Sequence, residues 1–371
     1  MVSTSQQTPG AAAASRPRGW GRMLLIALLL HVPLFAYPVL RLCHWLGLNL
    51  GLTLAILLPL FFSQLIARVY LRRHHARWVL WLRLLADLWL GISPVVLALV
   101  LLAELPLALG WLSPSLGAWL VVSASIVLLL YAMYNAFSPS VIPVSLSSAK
   151  LQRKLRFVQL SDVHIGSRSS RFLGRVVDSV NRLEPEFVCI TGDFIDATGI
   201  SEQQLSALTR LQMPVYFSIG NHEKYEDLPE ILQRLENLGV IILRNRAIST
   251  SELQFIGIDD KDDPYQVRKQ LPSIDVDTSK YVILLYHRPR GLAAAAERGI
   301  DLMLSGHTHN GQIVPFNFIV ERVFARTKGL FQAGSTWLYV SSGTGTWGPT
   351  MRLGTRSEIT LFEIEPVAIY R

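Results

Sequence analysis

The run Phe157-Val158-Gln159-Leu160-Ser161-Asp162-Val163-His164 starts as a buried strand and ends in an acid and an imidazole. Its first four residues have the length and apolarity of a strand. In extended backbone, residues i and i+2 point to the same side, so Asp162 and His164 can bind one ion together. The pattern recurs four times downstream. The apolar run 187–191 leads into Gly192-Asp193, and 215–219 into Gly220-Asn221-His222-Glu223. The run 282–285 leads into Tyr286-His287, and 301–304 into Ser305-Gly306-His307-Thr308-His309. Strand ends are rigid supports, and loops at the carboxyl edge of a sheet are where ligands bind. Glycine beside them lets the chain turn sharply so that side chains converge.

Carboxylates, imidazoles and one amide, with no thiolate, suit hard or borderline divalent ions such as Mn²⁺, Fe²⁺, Zn²⁺ or Mg²⁺. There are enough of them for two ions. The cysteines do not enter this set: Cys43 ends an apolar stretch and Cys189 lies in a strand, which is neither a disulfide framework nor a thiolate site.

Around these motifs, further apolar runs (240–243, 254–258, 338–341, 359–364) alternate with amphipathic segments at 172–183, 202–211 and 228–238. That alternation predicts an α/β layered domain with central sheets. Residues 138–155 are rich in Ser and Pro and then basic, with a β-like run at 141–146. They read as a linker and leading strand, which divides the chain into 1–137, 138–155 and 156–371.

The first part is of another kind. Residues 23–40, 46–70, 78–102 and 119–137 are apolar stretches long enough to cross a bilayer core of ~30 Å. They predict an all-α, multi-pass transmembrane region of about four helices. Residues 1–150 carry ten Lys/Arg and two acids, whereas residues 151–371 carry 25 of each sign. The net charge of +8 therefore belongs wholly to the apolar part, which argues against a nucleic-acid partner and for a lipid bilayer. Arg16, Arg18 and Arg22, then Arg68, Arg72, Arg73 and Arg77, then Lys150, Arg153, Lys154 and Arg156 fall in alternate connections. Positive-inside reasoning places these, and the layered domain, on the cytoplasmic side of the cell (inner) membrane. Arg83 and Asp87, four residues apart in the third stretch, read as an ion pair near its cytoplasmic end.

The five strand-end segments resemble the motif set of the calcineurin-like metallophosphoesterases: D-x-H, G-D, G-N-H-[DE], a lone H and G-H-x-H, in that order over roughly residues 150–365. The run Gly306-His307-Thr308-His309-Asn310-Gly311-Gln312-Ile313 is similar to a bacterial membrane-associated branch, with Asn310 where that branch often has Gly. The runs 340–345 and 349–352 resemble it too. The resemblance implies a four-layer sandwich, two central mixed β-sheets flanked by helices. It implies one divalent ion on Asp162, His164, Asp193 and His309, and a second on Asp193, Asn221, His287 and His307. It implies a phosphohydrolase that cleaves a phosphodiester or pyrophosphate by attack of a hydroxide held between the ions. His222 would be catalytic, stabilising the transition state or protonating the leaving oxygen. Asp196 is open to two readings, a hydrogen-bond partner of a metal-bound imidazole or a helix N-cap. Glu223 is expected to support its loop, and Arg352 to contact a substrate phosphate. One member of the wider family cleaves UDP-diacylglucosamine and others hydrolyse simple phosphodiesters, so a phosphate-containing, lipid-linked substrate is the narrower expectation. The competing reading is a non-catalytic membrane sensor or scaffold; the complete motif set weighs against it.

Overall fold

The computed structural model describes residues 29–70 and 77–367. The start of the first expected span lies outside them, as do Arg16, Arg18, Arg22, Arg72 and Arg73. Within them the first stretch is helical to Trp45, with a π-helical turn at Val32–Ala36 ahead of α1 (Tyr37–Trp45). Helix α2 (Leu50–Leu65) begins where the Asn49 side chain accepts from the Leu52 N–H. Helices α3 (Arg77–Ala108) and α4 (Pro114–Phe137) follow, the latter capped by Ser113 with Pro in its first turn. Among the described residues, Leu50–Tyr70, Trp81–Ala108 and Pro114–Phe137 are long and apolar enough to cross a membrane.

One boundary and one ion pair differ from expectation for physical reasons. Helix α3 continues beyond residue 102 because Glu104 is not a stop: its carboxylate takes two bonds of 2.6 Å from Arg41 and one of 2.9 Å from Tyr37. Asp87 reaches to the neighbouring helix, accepting from Arg68 at 2.8 Å, rather than serving only its own helix through Arg83. Asp87 and Glu104 lie 17 positions apart, about 26 Å along a helix. That is close to the ~30 Å bilayer core, and both ion pairs fall toward the ends of the apolar span Trp81–Ala108.

The rest is α/β. Among the described residues twelve strands make two six-stranded sheets, ordered β1-β12-β2-β3-β4-β5 and β10-β11-β9-β8-β7-β6, with β6 at Arg246–Ser249 and β10 at Gly329–Ala333. In the first, β2 (Leu155–Leu160), β3 (Val188–Thr191), β4 (Val215–Ser218) and β5 (Val240–Ile242) are parallel. In the second, β7 (Leu253–Gly257), β8 (Tyr281–Leu285), β9 (Leu302–Ser305) and β11 (Thr336–Val340) are parallel. Parallel strands place their carboxyl ends along one edge, which carries all five motifs.

Both faces of each sheet are buried, as parallel sheets require. Along β2, Leu155 and Phe157 face the other sheet, and Val158 and Leu160 face helices. On the inner face of the first sheet Phe157 stacks on its strand neighbour Phe362 at 4.7 Å between ring centroids, and across to the second sheet Tyr216 stacks on Phe255 at 3.9 Å. Outside the first sheet, α5 (Ser170–Arg182) buries Phe172, Leu173, Val176, Val177 and Val180, one stripe at helical spacing. Truncating one such aromatic costs about 3–5 kcal/mol. The outcome is the helix–sheet–sheet–helix sandwich.

Residues 138–155 are more than a linker. Strand β1 (Ser140–Ser148) pairs in parallel with β12 (Glu358–Pro366) over nine residues and forms the edge of the first sheet. The layered domain also grips the helices directly. Met351 and Ile313 are buried among Trp45, Ile92, Val95 and Val96, and a Cβ on Gly91 would lie 2.4 Å from Met351 Sδ.

Candidate active site

The motif residues converge where the carboxyl ends of the two sheets meet. His307 N–H donates to Asp162 at 3.1 Å, and Gln159 Nε2 donates to the Ser305 carbonyl at 3.0 Å. These bonds tie the end of β2 to the end of β9. The turns are tight. A Cβ on Gly306 would sit 1.9 Å from Ser161 Oγ, and one on Gly220 2.1 Å from Asp193 Oδ1. No other residue fits at either place.

The backbone is strained here. Asp162, His164, Asp193, His307 and His309 all have φ between 48° and 71°. Positive φ is uncommon outside glycine and costs about 1–3 kcal/mol per residue. Five such residues in one site turn consecutive side chains toward one point.

The side chains form overlapping groups. Asp162, His164 and His309 make one; Asp193, His287 and His307 another; His164, Asp193 and His222 a third. His164 Nε2 faces His309 Nε2 at 3.1 Å, and His287 Nε2 faces both His307 Nδ1 at 3.1 Å and Asp193 Oδ2 at 3.0 Å. His309 Nε2 lies 3.4 Å from Asp162 Oδ1. Lone pairs that point at each other across such distances want a cation between them. The Asn221 Oδ1 atom is buried with no hydrogen-bond partner. A buried acceptor without a donor is costly, and a divalent ion satisfies it. The residues present therefore fit two divalent ions.

Hydrogen bonds behind the ring set the imidazoles. His164 Nδ1 bonds Asp196 Oδ2 at 3.1 Å, and His287 Nδ1 donates to the Thr191 carbonyl at 2.7 Å, so each turns Nε2 to the site. Asp196 itself accepts from Ser167 N and Oγ, which favours the orienting reading over a helix cap. Burial opposes the charge of Asp196, but His164 and Ser167 outweigh it and hold the carboxyl below its usual range. Burial likewise opposes a charge on His287, but Asp193 pushes it up to about 10. An environment that draws a proton onto that lone pair draws a metal cation equally. Burial, with neighbouring cations, holds His307 and His309 well below the usual range, so they are neutral donors.

Glu223 is the keystone of the loops. Its two oxygens accept from the N–H groups of Asp193, Phe194, Ile195 and Gly220 at 2.5–3.1 Å. Burial and Asp193 push its carboxyl up to about 7 against the pull of those donors. His222 lies beside this loop. Its N–H donates to Asp193 Oδ1 at 2.9 Å and its ring is 4.8 Å from that of His164. Its side chain is 19% exposed, so it borders the open side of the site, where Trp347 lies 6.0 Å away.

Arg352, expected at a substrate phosphate, has its guanidinium bonded to the chain itself. It is fully buried, and its guanidinium donates to the carbonyls of Ser342, Gly343, Gly345 and His309 at 2.6–3.2 Å. Its Nη2 also lies 3.3 Å from His309 Nδ1. The Gly343 and His309 carbonyls also accept from the N–H groups of Glu358 and Gln312, while those of Ser342 and Gly345 are served by the buried cation.

Two further supports, quoted within the motifs but given no role there, emerge from the fold. Ser161 Oγ donates to Asp162 Oδ2 at 2.6 Å. Gln312 Nε2 donates to the Trp347 and Pro349 carbonyls while its Oε1 accepts from Trp347 N, pinning the loop that walls the site.

Known proteins agree with this geometry. Residues 155–311 match the calcineurin-like phosphoesterase family. An uncharacterized metallophosphoesterase of Aquifex aeolicus is 32% identical over 229 residues, 57% of this chain and 85% of that protein. The chain belongs to the calcineurin-like metallophosphoesterases. A second relative, an uncharacterized metallophosphoesterase of Campylobacter jejuni, is 34% identical over 251 residues, 64% of this chain and 67% of that one. A transmembrane protein with metallophosphoesterase domain from Danio rerio is 34% identical over 261 residues, 63% of this chain. The chain spans 59% of that protein's length. The protein is thus a phosphoesterase, a hydrolase of a family that uses divalent metal ions, with a phosphate-containing substrate. Its apolar helices mark a membrane protein.

Proposed function

We infer that the protein hydrolyses a phosphodiester or pyrophosphate bond at the cytoplasmic face of the cell (inner) membrane. The observation that carries this reading is the convergence of three overlapping groups of imidazole and carboxylate ligand atoms, with Asn221, whose buried Oδ1 is partnerless, next in the chain to His222 of one group. Asp162, His164 and His309 hold one ion, Asn221, His287 and His307 the other, and Asp193 lies between the groups. When bound, two divalent ions (Mn²⁺, Fe²⁺ or Zn²⁺) supply Lewis acidity toward the phosphoryl oxygens and lower the pKa of water.

The chain does the rest. Asp196 and the Thr191 carbonyl fix two imidazoles, so no reorganisation is needed when substrate arrives. His222, tethered through its N–H to Asp193 and open to solvent on one side, is placed to stabilise the transition state or protonate the leaving oxygen. The cytoplasmic side is supported by one cavity that Arg68 and Arg83 share with Asp196. The basic end of the helix pair and the site therefore lie on the same side, and basic ends favour the cytoplasm.

The test uses the full chain in detergent with bis(p-nitrophenyl) phosphate. Turnover should need Mn²⁺ or a similar ion and vanish in Asp193→Ala, with His222→Ala losing about 10²–10⁴-fold in kcat, the range of a lost acid–base group. Metal-independent turnover, or full activity in Asp193→Ala, would refute the reading.

A further inference from the structure

The cavity of about 480 Å³ lined by Ala67, Arg68, Arg83, Asp87 and Asp196 joins the membrane helices to the active site. Asp196 is the residue that holds His164, so this space begins one side chain from the catalytic centre. Its other wall lies at the Arg68–Asp87 ion pair, toward the start of the apolar span Trp81–Ala108. The cavity is thus at the depth where lipid headgroups sit. Its walls are charged and mixed in sign, with two guanidiniums against one carboxylate once Asp196 is spent on His164 and Ser167.

Ala67 also lines a second space, about 270 Å³ and almost wholly apolar, bounded by Pro59, Ile66, Leu82, Leu85 and Trp89. Leu60 and Trp89 in turn line a third of about 330 Å³, between α1, α2, α3 and α4. The order from the catalytic centre outward is polar, then apolar, then apolar, along helices buried in hydrocarbon. That is the outline of an amphiphile whose headgroup reaches the sheets' carboxyl edge while its chain stays at membrane depth.

We propose that these three spaces form one substrate tract, and that the enzyme acts on a lipid phosphoester that enters sideways from the bilayer. Arg68 and Arg83 hold the polar headgroup, and the grooves flanking Trp89 take the apolar chain. This rests on the phosphohydrolase reading above and names its substrate class. It also gives the helices a purpose that a tether would not need.

Two esters with the same leaving group separate the ideas: p-nitrophenyl methyl phosphate and p-nitrophenyl hexadecyl phosphate. Both are assayed with the full chain at fixed detergent mole fraction. The hexadecyl ester should show kcat/KM at least tenfold above the methyl ester. Ala86→Phe, which fills the groove beside Trp89, should bring that ratio to within about twofold of one, and Arg83→Ala should lower it severalfold. An equal ratio in the unaltered chain overturns the tract while leaving the phosphohydrolase reading intact. A high ratio that neither variant changes reports micelle partition only and overturns it as well. No turnover of either ester, with metal bound, overturns the reading beneath it. Should Ala86→Phe fail to accumulate, a diazirine-tipped hexadecyl phosphonate is photolysed on the unaltered chain. Labelling at Leu60, Leu82 or Trp89 is the expected result; labelling confined to the outward Leu101 and Leu102 refutes the tract.

Discussion

The backbone N–H of Arg352 donates to the carbonyl of Ala132 at 2.8 Å, so the loop that carries the site's buried guanidinium is bonded to a membrane helix. The return bond runs from Asn135 Nδ2 to the Arg352 carbonyl at 3.3 Å. One residue therefore fixes the catalytic loops from within and ties them to α4.

Arg352→Met keeps most of the volume and removes every donor. The carbonyls of Ser342 and Gly345 then lose their donor, at about 1–3 kcal/mol for each buried group left unsatisfied, while those of Gly343 and His309 keep a backbone bond. We expect a drop in thermal midpoint and a loss of bound metal, measured by calorimetry and elemental analysis. A raised KM with unchanged midpoint and metal content would restore the substrate-contact reading.

Glu223→Gln places an NH₂ against N–H groups that now point at an oxygen. The substitution should cost roughly 2–4 kcal/mol, from lost charge-assisted bonds and a new donor–donor clash. Because the same N–H groups belong to Asp193 and Gly220, urea unfolding and metal content should fall together. An unshifted urea midpoint would contradict the keystone role.

Asp196 separates orientation from charge. Asn at this position still accepts from His164 Nδ1 and should bind metal within a few-fold of the parent. Ala accepts nothing, and metal affinity should fall about 10–100-fold, the usual cost of losing such a partner. Titration with Mn²⁺ by calorimetry decides between these outcomes.

Metal removal should matter to the fold as well as to activity. Five residues with positive φ and two carboxylates, Asp162 and Asp193, are held together at one point. Ions at a hundred times their dissociation constant would add about 2.7 kcal/mol. Chelation should therefore lower the melting temperature reversibly, and Asp193→Ala should show no response to chelator or added Mn²⁺.

Gly306→Ala tests the close approach between the sheets. Its Cβ would collide with Ser161 Oγ and Asp162 Oδ2, atoms held by the bond between them. We expect complete loss of turnover with a destabilisation above about 2 kcal/mol, as overpacked cores show. Circular dichroism melts alongside the ester assay would reveal it; a parent-like melt with full turnover would show that the loops can part.

The strand-end chemistry was legible in the sequence because metal ligation admits few residue types, and Asp162, His164 and Asn221 stand directly after apolar runs. The layering was legible for the same strands, since burial on both faces demands continuous apolarity. Short edge strands were not. Arg246–Ser249 and Gly329–Ala333 have half-exposed, mixed residues, and only their hydrogen bonds to a neighbour make them strands. The positive φ of the ligand residues had no sign in the sequence either, for none of them is glycine. Arg352 was expected at a substrate phosphate because an arginine beside glycines looks solvent-facing in one dimension. Its burial depends on carbonyls contributed by residues 309–345, which only the fold brings together.

Strand β1 lies directly after the last membrane helix, yet its partner is β12, about two hundred residues further along. During synthesis the helices can enter the bilayer early, while β1 waits with its hydrogen bonds unmet until residue 366 has left the ribosome. The first sheet thus closes last at the edge nearest the membrane. A chain stopped short of β12 would leave an open strand edge fixed at the lipid surface, where neighbouring copies are concentrated in two dimensions and edge-to-edge association is favoured.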